Sequence, residues 1–308
     1  MRAYIARRLL LLIPVAIGVV TLVFGFLRMA PGDPATIMLG EQARQVDVQA
    51  LRKQLGLEGS LGRQYATFVA SLARGNFGTS FSKRQPVAKL VFERLGATME
   101  LAVAAMIIAA LVAFPLGVFA ATRPGTVGDA GAGAFALLGV SMPNFWLGPL
   151  LIIVFSIKLG LTPVSGAGGV SHLILPAVTL GASMAGILAR LTRSGLLEVL
   201  SSNYVRAARA KGAPERLVLW KHALRNALLP VVTVMGMQFG HLLAGAIITE
   251  TIFAWPGVGM LLIDAINSRD YPLVQGCVLC ISITYILITL ITDLSYAWID
   301  PRIRYEKR

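Results

Sequence analysis

Residues 203–214 read NYVRAARAKGAP. Arg206, Arg209 and Lys211, with Arg216 just beyond, sit among alanines between residues 173–189 and 226–249, two runs without Asp, Glu, Lys or Arg. As helices rising about 1.5 Å per residue they would extend roughly 26 and 36 Å, lengths in the range that crosses a bilayer core. A cationic stretch between two crossings is the kind of loop that stays on the cytoplasmic side. The fold follows from counting such runs outward from it.

Residues 9–27, 101–122 and 130–157 lie upstream and 271–292 downstream, giving six apolar runs in 308 residues that are 56% hydrophobic and 14% charged, with mean hydropathy +0.72. This predicts an all-α integral membrane protein with six transmembrane helices and both termini on one side. The third run is 28 residues long and holds Pro143 and Pro149, which predicts that it kinks, tilts or lies partly outside the bilayer. With the N-terminus inside, the inner segments 1–8, 123–129, 190–225 and 293–308 carry sixteen Lys and Arg. The short outer loops 158–172 and 250–270 carry only Lys158 and Arg269, so both termini are expected to be cytoplasmic. The net charge of +13 then reads as topology and attraction to anionic head groups, with no nucleic-acid role.

Three regions follow: residues 1–27 as N-terminus and first span, read as an uncleaved anchor; 28–100 as an extracytoplasmic segment with amphipathic helices; and 101–308 as a five-span core with an inner loop at 190–225. In the outer segment APGDP stops the first span, Asp47 caps a helix with Val48, Leu51 and Leu55 on one face, and Leu61, Tyr65, Phe68 and Leu72 continue at helical spacing. RGNFGTSF breaks the pattern, and residues 86–95 form an amphipathic stretch along the interface before the second span. A cover over the membrane mouth, a docking surface and an ordinary long loop all fit this segment.

In the inner loop, Ser201, Ser202 or Asn203 caps a helix of two to three turns that Gly212 and Pro214 stop. Such a helix is too short to stand alone in water and needs a surface. Its alanines permit close approach by a protein, and Tyr204 offers an anchor; its charge equally suits anionic lipid.

The chain has no G-x-x-x-x-G-K-[ST] loop and no H-E-x-x-H, and His172, His222 and His241 are scattered. Cys277 and Cys280 read as small buried hydrophobes. Among ionisable residues near the runs, Glu100 and Glu250 fall at outer ends within reach of water, and Asp293 is placed to pair with Arg190 or Arg193. Asn144, Gln238 and His241 are candidates for lining a translocation path, although polar side chains in spans also bond neighbouring helices.

NYVRAARAKGAPERLVLWKHALRNALLPVV (203–232), ETIFAWPGVGMLLIDAINSRDYPLVQG (250–276) and DLSYAWIDPRIRY (293–305) resemble the dipeptide/oligopeptide permeases of bacterial ABC importers. RRLLLLIPVAIGVVTLVFGFLRMAPGDP (7–34), GNFGTSF (75–81) and SMPNFWLG (141–148) extend the resemblance over nearly the whole chain. It implies a type I ABC importer permease fold in the bacterial inner membrane, pairing with a second, related permease. It also implies two cytoplasmic ATPases, which bind ATP and Mg in place of any cofactor in this chain, and an extracytoplasmic binding protein. By the same resemblance the coupling helix that meets the ATPase falls on Tyr204, Arg206, Ala207, Ala208, Arg209, Ala210, Lys211 and Gly212. Where the wider superfamily has Glu-Ala-Ala, this chain has Arg206-Ala207-Ala208, a variant that resembles the peptide branch. LTPVSG (161–166) and WPGVG (255–259) look most like the dipeptide type. The expected function is a non-enzymatic transport subunit for dipeptides or short oligopeptides. The alternatives are the same kind of permease for glutathione or nickel complexes, and a self-contained proton-coupled peptide transporter.

Overall fold

The computed structural model of the chain describes residues 2–29, 33–40 and 42–299. Ala30, Pro31 and Gly32 of the expected APGDP turn, the side chain of Asp293 and the tail 300–308 lie outside the described residues. The described chain is all-helical and divides into two compact units, Met1–Thr98 with Pro256–Leu290, and Met99–Trp255 with Ile291–Arg308.

The first unit begins with α1 (Arg2–Met29), α2 (Pro34–Leu39), α3 (Gln45–Gln54) and α4 (Leu61–Ala73). Asp33 caps α2, accepting from the Thr36 amide and hydroxyl, and pairs with Arg52 of α3 at 3.1 Å. Ala35, Val48 and Leu51 form the small core between α2 and α3. Asp47 is not the cap of α3: Arg44 occupies that position, and Asp47 sits in the first turn, where its carboxylate favours the helix N-terminus and accepts from Arg44 Nε at 3.0 Å. The Tyr65 and Phe68 face of α4 packs on Phe24 of α1, with ring centroids 5.2 and 5.7 Å apart, and the hydroxyls of Tyr65 and Thr21 are 2.8 Å apart.

Next comes α5 (Val87–Thr122), one continuous helix of 36 residues. Residues 87–95 are therefore its first turns and not a separate interfacial element. Val87 and Val91 are buried, and a Cβ at Gly276 would overlap Val87, so this end of α5 is held by packing on the segment that follows residue 270. Two further helices, α12 (Val258–Asn267) and α13 (Tyr271–Ile299), supply that packing. The start of α12 is tied to α5 by the Val258 amide, which donates to Thr98 Oγ1 at 2.9 Å.

The second unit holds the rest of α5 together with α6 (Val127–Ser141), α7 (Asn144–Leu151, continued by a π-helical turn over Ile152–Lys158), α8 (Val170–Leu200), α9 (Asn203–Ala210), α10 (Glu215–Leu217, continued by a π-helical turn over Val218–Ala223) and α11 (Leu224–Phe253). Large side chains such as Leu180, Met184, Leu188 and Phe253 fill its interior, but its closest helix contacts are made by small residues, as expected where lipid removes the hydrophobic drive between helices and close backbone approach must supply the attraction. Ala102, Ala105, Ala109 and Ala113 recur at helical spacing on α5, all fully buried. Gly181 of α8 faces them, and a Cβ there would stand 2.6 Å from the Ala105 carbonyl oxygen. On the α6 side a Cβ at Gly139 would stand 2.8 Å from the Ala182 carbonyl oxygen.

Among the described residues, four helical segments are long and apolar enough to cross a membrane: Val87–Thr122, Val170–Leu200, Glu215–Phe253 and Tyr271–Thr292. A fifth arises if Val127–Ser141 and Asn144–Lys158 count as one broken span. They meet at 108° across Met142 and Pro143, which is the break that the prolines in the third run predict. In α1 the apolar stretch is the shorter Ile13–Gly25. Glu250 does not meet water, because it is fully buried. The chain turns back over it at left-handed Ala254, the Trp255 amide donates to the Glu250 carbonyl at 2.8 Å, and Trp255 is itself buried.

Candidate functional site

The loop from α8 to α11 is a short helix, a sharp corner and a widened turn. Ser202 occupies the cap position of α9, but its hydroxyl points back to the Val199 carbonyl, and the Ser201 hydroxyl to that of Glu198. Both serines therefore close the end of α8 and leave the start of α9 without a side-chain cap. The helix is eight residues long, held in place by Val205, which is fully buried. It ends at Lys211, and Gly212 adopts φ +81°, a left-handed conformation that favours glycine, before Pro214 starts α10. Across this corner Arg209 makes a two-pronged pair with Glu215, at 2.7 and 3.2 Å, and reaches the Leu200 carbonyl at 3.5 Å.

The eight candidate coupling residues divide by face. Arg206, Ala207, Arg209, Ala210, Lys211 and Gly212 are exposed. Ala208 is half-buried on the side of Val205, as its i, i+3 spacing dictates. Tyr204 is also exposed, at 45%, but its hydroxyl is turned toward α11, donating to the His222 carbonyl at 3.2 Å and accepting from Asn226 Nδ2 at 2.9 Å. That carbonyl also accepts from Asn226 Nδ2 at 3.2 Å. Beneath lies a cleft of about 510 Å³ lined by Tyr204, Lys221, His222, Arg225, Asn226 and Leu229.

The neighbouring loop, between α5 and α6, is fixed by an ion pair. Arg193 of α8 binds Asp129 with two nitrogens, Nη2 at 2.7 Å, while the Gly125 amide donates to the same carboxylate at 3.0 Å. Arg193 is thus engaged by Asp129, while the expected pairing of Asp293 with Arg190 or Arg193 falls on a side chain outside the described residues. Asp129→Asn is expected to lower stability only modestly, because Arg193 keeps partial access to water. Amide exchange at Gly125 should accelerate in that variant, and an unchanged rate would count against the tie.

In the first unit, two sequence motifs converge on one residue. Asp270, fully buried, caps the start of α13 and accepts from Ser80 Oγ (2.6 Å), Ser82 N (2.9 Å), Ser82 Oγ (2.7 Å) and Leu273 N (3.2 Å). Burial acts to raise its pKa, but these hydrogen bonds outweigh it and hold the carboxyl below its ordinary value. GNFGTSF and NSRDYPLVQG are thus two halves of one clasp. Asp270 was not among the expected site residues, although Asp followed two positions later by proline is a helix-start pattern.

Of the candidate path residues, Asn144 begins α7 at the 108° corner and is half-buried, with its Nδ2 3.5 Å from where a Gly245 Cβ would stand. Gln238, half-buried, lies seven residues before Gly245 on the same face of α11, and His241 is exposed on the adjoining side.

Residues 113–305 match the family described as "Binding-protein-dependent transport system inner membrane component", and residues 1–102 match its N-terminal counterpart. The chain belongs to this family. The permease is 44% identical over 339 aligned residues to the dipeptide transport system permease protein DppB of Escherichia coli (strain K12), covering all of both chains. It is 44% identical over 337 residues to the di/tripeptide transport system permease protein DppB of Pseudomonas aeruginosa (strain UCBPP-PA14), again with full coverage. The glutathione transport system permease protein GsiC of Salmonella typhimurium (strain LT2) is 45% identical over 303 residues, 98% of this chain and 99% of that protein. The fold is shared with a chain of the MetNI methionine ABC transporter in inward-facing conformations, at TM-score 0.57 and 20% identity, over 68% of the permease and 96% of that chain. A chain of an amino acid ABC transporter crystallised with histidines matches at TM-score 0.53 and 16% identity, over 70% and 94%. The permease is an inner-membrane transport subunit and not an enzyme, and its importer includes ATPase and substrate-binding partners.

Proposed function

We propose that this permease forms half of the translocation pathway of an ATP-driven importer of dipeptides and short oligopeptides. It pairs with a second, related permease over two cytoplasmic ATPases, and an extracytoplasmic binding protein supplies the peptide. ATP and Mg reside in the ATPases, and this chain holds no cofactor. Six spans with both termini cytoplasmic carry the pathway, and Asn144, Gln238 and His241 line it. The observation that carries the proposal is full-length identity of 44% to two peptide permeases. Similar identity to a glutathione permease favours a second substrate reading, since glutathione is itself a modified tripeptide.

Work from ATP enters at α9 through the outward residues Arg206, Ala207, Arg209, Ala210, Lys211 and Gly212, with Tyr204 and Ala208 setting the helix against its support. Proteoliposomes containing the assembled complex and its binding protein should accumulate labelled di- and tripeptides only with ATP. Uptake by the lone permease under a proton gradient would overturn the proposal. If glutathione competes better than alanyl-dipeptides, the second substrate reading replaces the first.

The exposed face makes a sharper test than the helix as a whole. Ala207→Glu should leave insertion and folding intact yet lower substrate-stimulated ATP hydrolysis about tenfold or more, because it buries an unpaired charge in the contact. Ala208→Glu should instead disturb the loop itself. Full stimulation in Ala207→Glu would remove α9 from the contact.

A further inference from the structure

The cleft beneath Tyr204 is lined by Lys221, His222, Arg225, Asn226, Tyr204 and Leu229, with no carboxylate among them. Elsewhere on the same side of the chain, basic groups do find acids: Arg193 takes Asp129 and Arg209 takes Glu215. Among the described residues, no carboxylate lies within salt-bridge distance of Lys221 or Arg225. The widened π-helical turn over Val218–Ala223 and the start of α11 present these groups together, and its His222 carbonyl is already satisfied by Tyr204 and Asn226. With Tyr204 and Asn226 engaged by each other and by that carbonyl, what remains open in the cleft is the pair of cationic side chains, Lys221 and Arg225.

Two features decide what kind of anion suits it. Leu229, one turn beyond Arg225, gives the cleft an apolar side where the uncharged run of α11 begins. Trp220 is 58% exposed on the same turn, and tryptophan so placed is a mark of the membrane–water boundary. We infer that this cleft binds the phosphate head group of an anionic membrane lipid, Lys221 and Arg225 meeting the phosphate while Leu229 meets the first methylenes of an acyl chain. A free phosphate has no use for the apolar side, whereas a lipid uses both. The site is separate from the exposed face of α9 and independent of the transported substrate.

The test uses the full-length chain in a neutral detergent, with its thermal midpoint followed on adding phosphatidylglycerol, phosphatidylcholine or sodium phosphate. Phosphatidylglycerol should stabilise well beyond phosphatidylcholine, and phosphate at matched concentration should have no effect. In Lys221→Gln/Arg225→Gln the affinity for phosphatidylglycerol should fall about thirtyfold, while Arg190→Gln/Arg216→Gln, with the same loss of charge outside the cleft, retains it. Equal stabilisation by both lipids, an unchanged double variant, or a shift reproduced by free phosphate overturns the assignment. A measurement on the unmodified chain guards against a misfolded variant: phosphatidylglycerol with a photoreactive head group should label residues 217–229, and labelling confined to other segments overturns it equally.

Discussion

Gly181→Val should remove most of the monodisperse permease from detergent extracts. The valine Cβ would stand 2.6 Å from the Ala105 carbonyl oxygen and 3.3 Å from its carbonyl carbon, and both are backbone atoms that no rotamer change can move. Relief requires α5 and α8 to separate, which surrenders the contacts of a whole stripe of buried alanines. The expected loss is about 3 kcal/mol or more. Gly186→Val should behave alike, because its Cβ would overlap the Ala136 carbonyl oxygen of α6. Gly133→Ala is the control: nothing lies within 4 Å of a Cβ there, so a residue within α6 should be neutral or slightly stabilised. Wild-type yield and thermal midpoint in Gly181→Val would show that the helices are not packed backbone to backbone.

Asp270→Ala carries the second large effect. It removes the acceptor of hydrogen bonds from Ser80, Ser82 and Leu273, leaves the buried Ser80 hydroxyl without an acceptor for its proton, and uncaps α13. A loss of about 3–5 kcal/mol is expected, concentrated in the unit that contains it. Amide exchange across residues 78–86 should rise by orders of magnitude, whereas Asp264→Asn, at an exposed acid of α12, should change little. The pH dependence has a definite sign. The folded pKa lies below the ordinary 3.8, so the clasp contributes fully above that value and weakens as pH falls through the folded value beneath it. Asp270→Asn should abolish this acid step, and persistence of the step would assign it to another carboxylate.

Local features were legible in the sequence because they rest on local causes. Gly212 and Pro214 mark the end of α9, Pro143 marks the 108° break, and four of the apolar runs, with the broken third as a fifth, coincide with helices long enough to cross a membrane. Even the inward face of Ala208 follows from its spacing to Val205. What could not be read are pairings between distant positions. Asp270 meets Ser80 across 190 residues and Arg193 meets Asp129 across 64, and periodicity carries no information about such partners. The burial of Glu250 was hidden for the same reason, since it depends on how the chain returns through Trp255. The stretch at 87–95 misled because its amphipathic pattern suits an interfacial helix as well as the first turns of a longer one packed on one side.

Helix α9 is fastened at two points to different parts of the chain. Near its start Tyr204 holds it to His222 and Asn226, at the foot of α11; near its end Arg209 holds it to Glu215 and to Leu200, the last residue of α8. A body hung from one end can swing, and torque applied to it dissipates in the swing. With both ends fastened, a sideways thrust on α9 cannot be absorbed by rotation and must load the feet of α8 and α11 together.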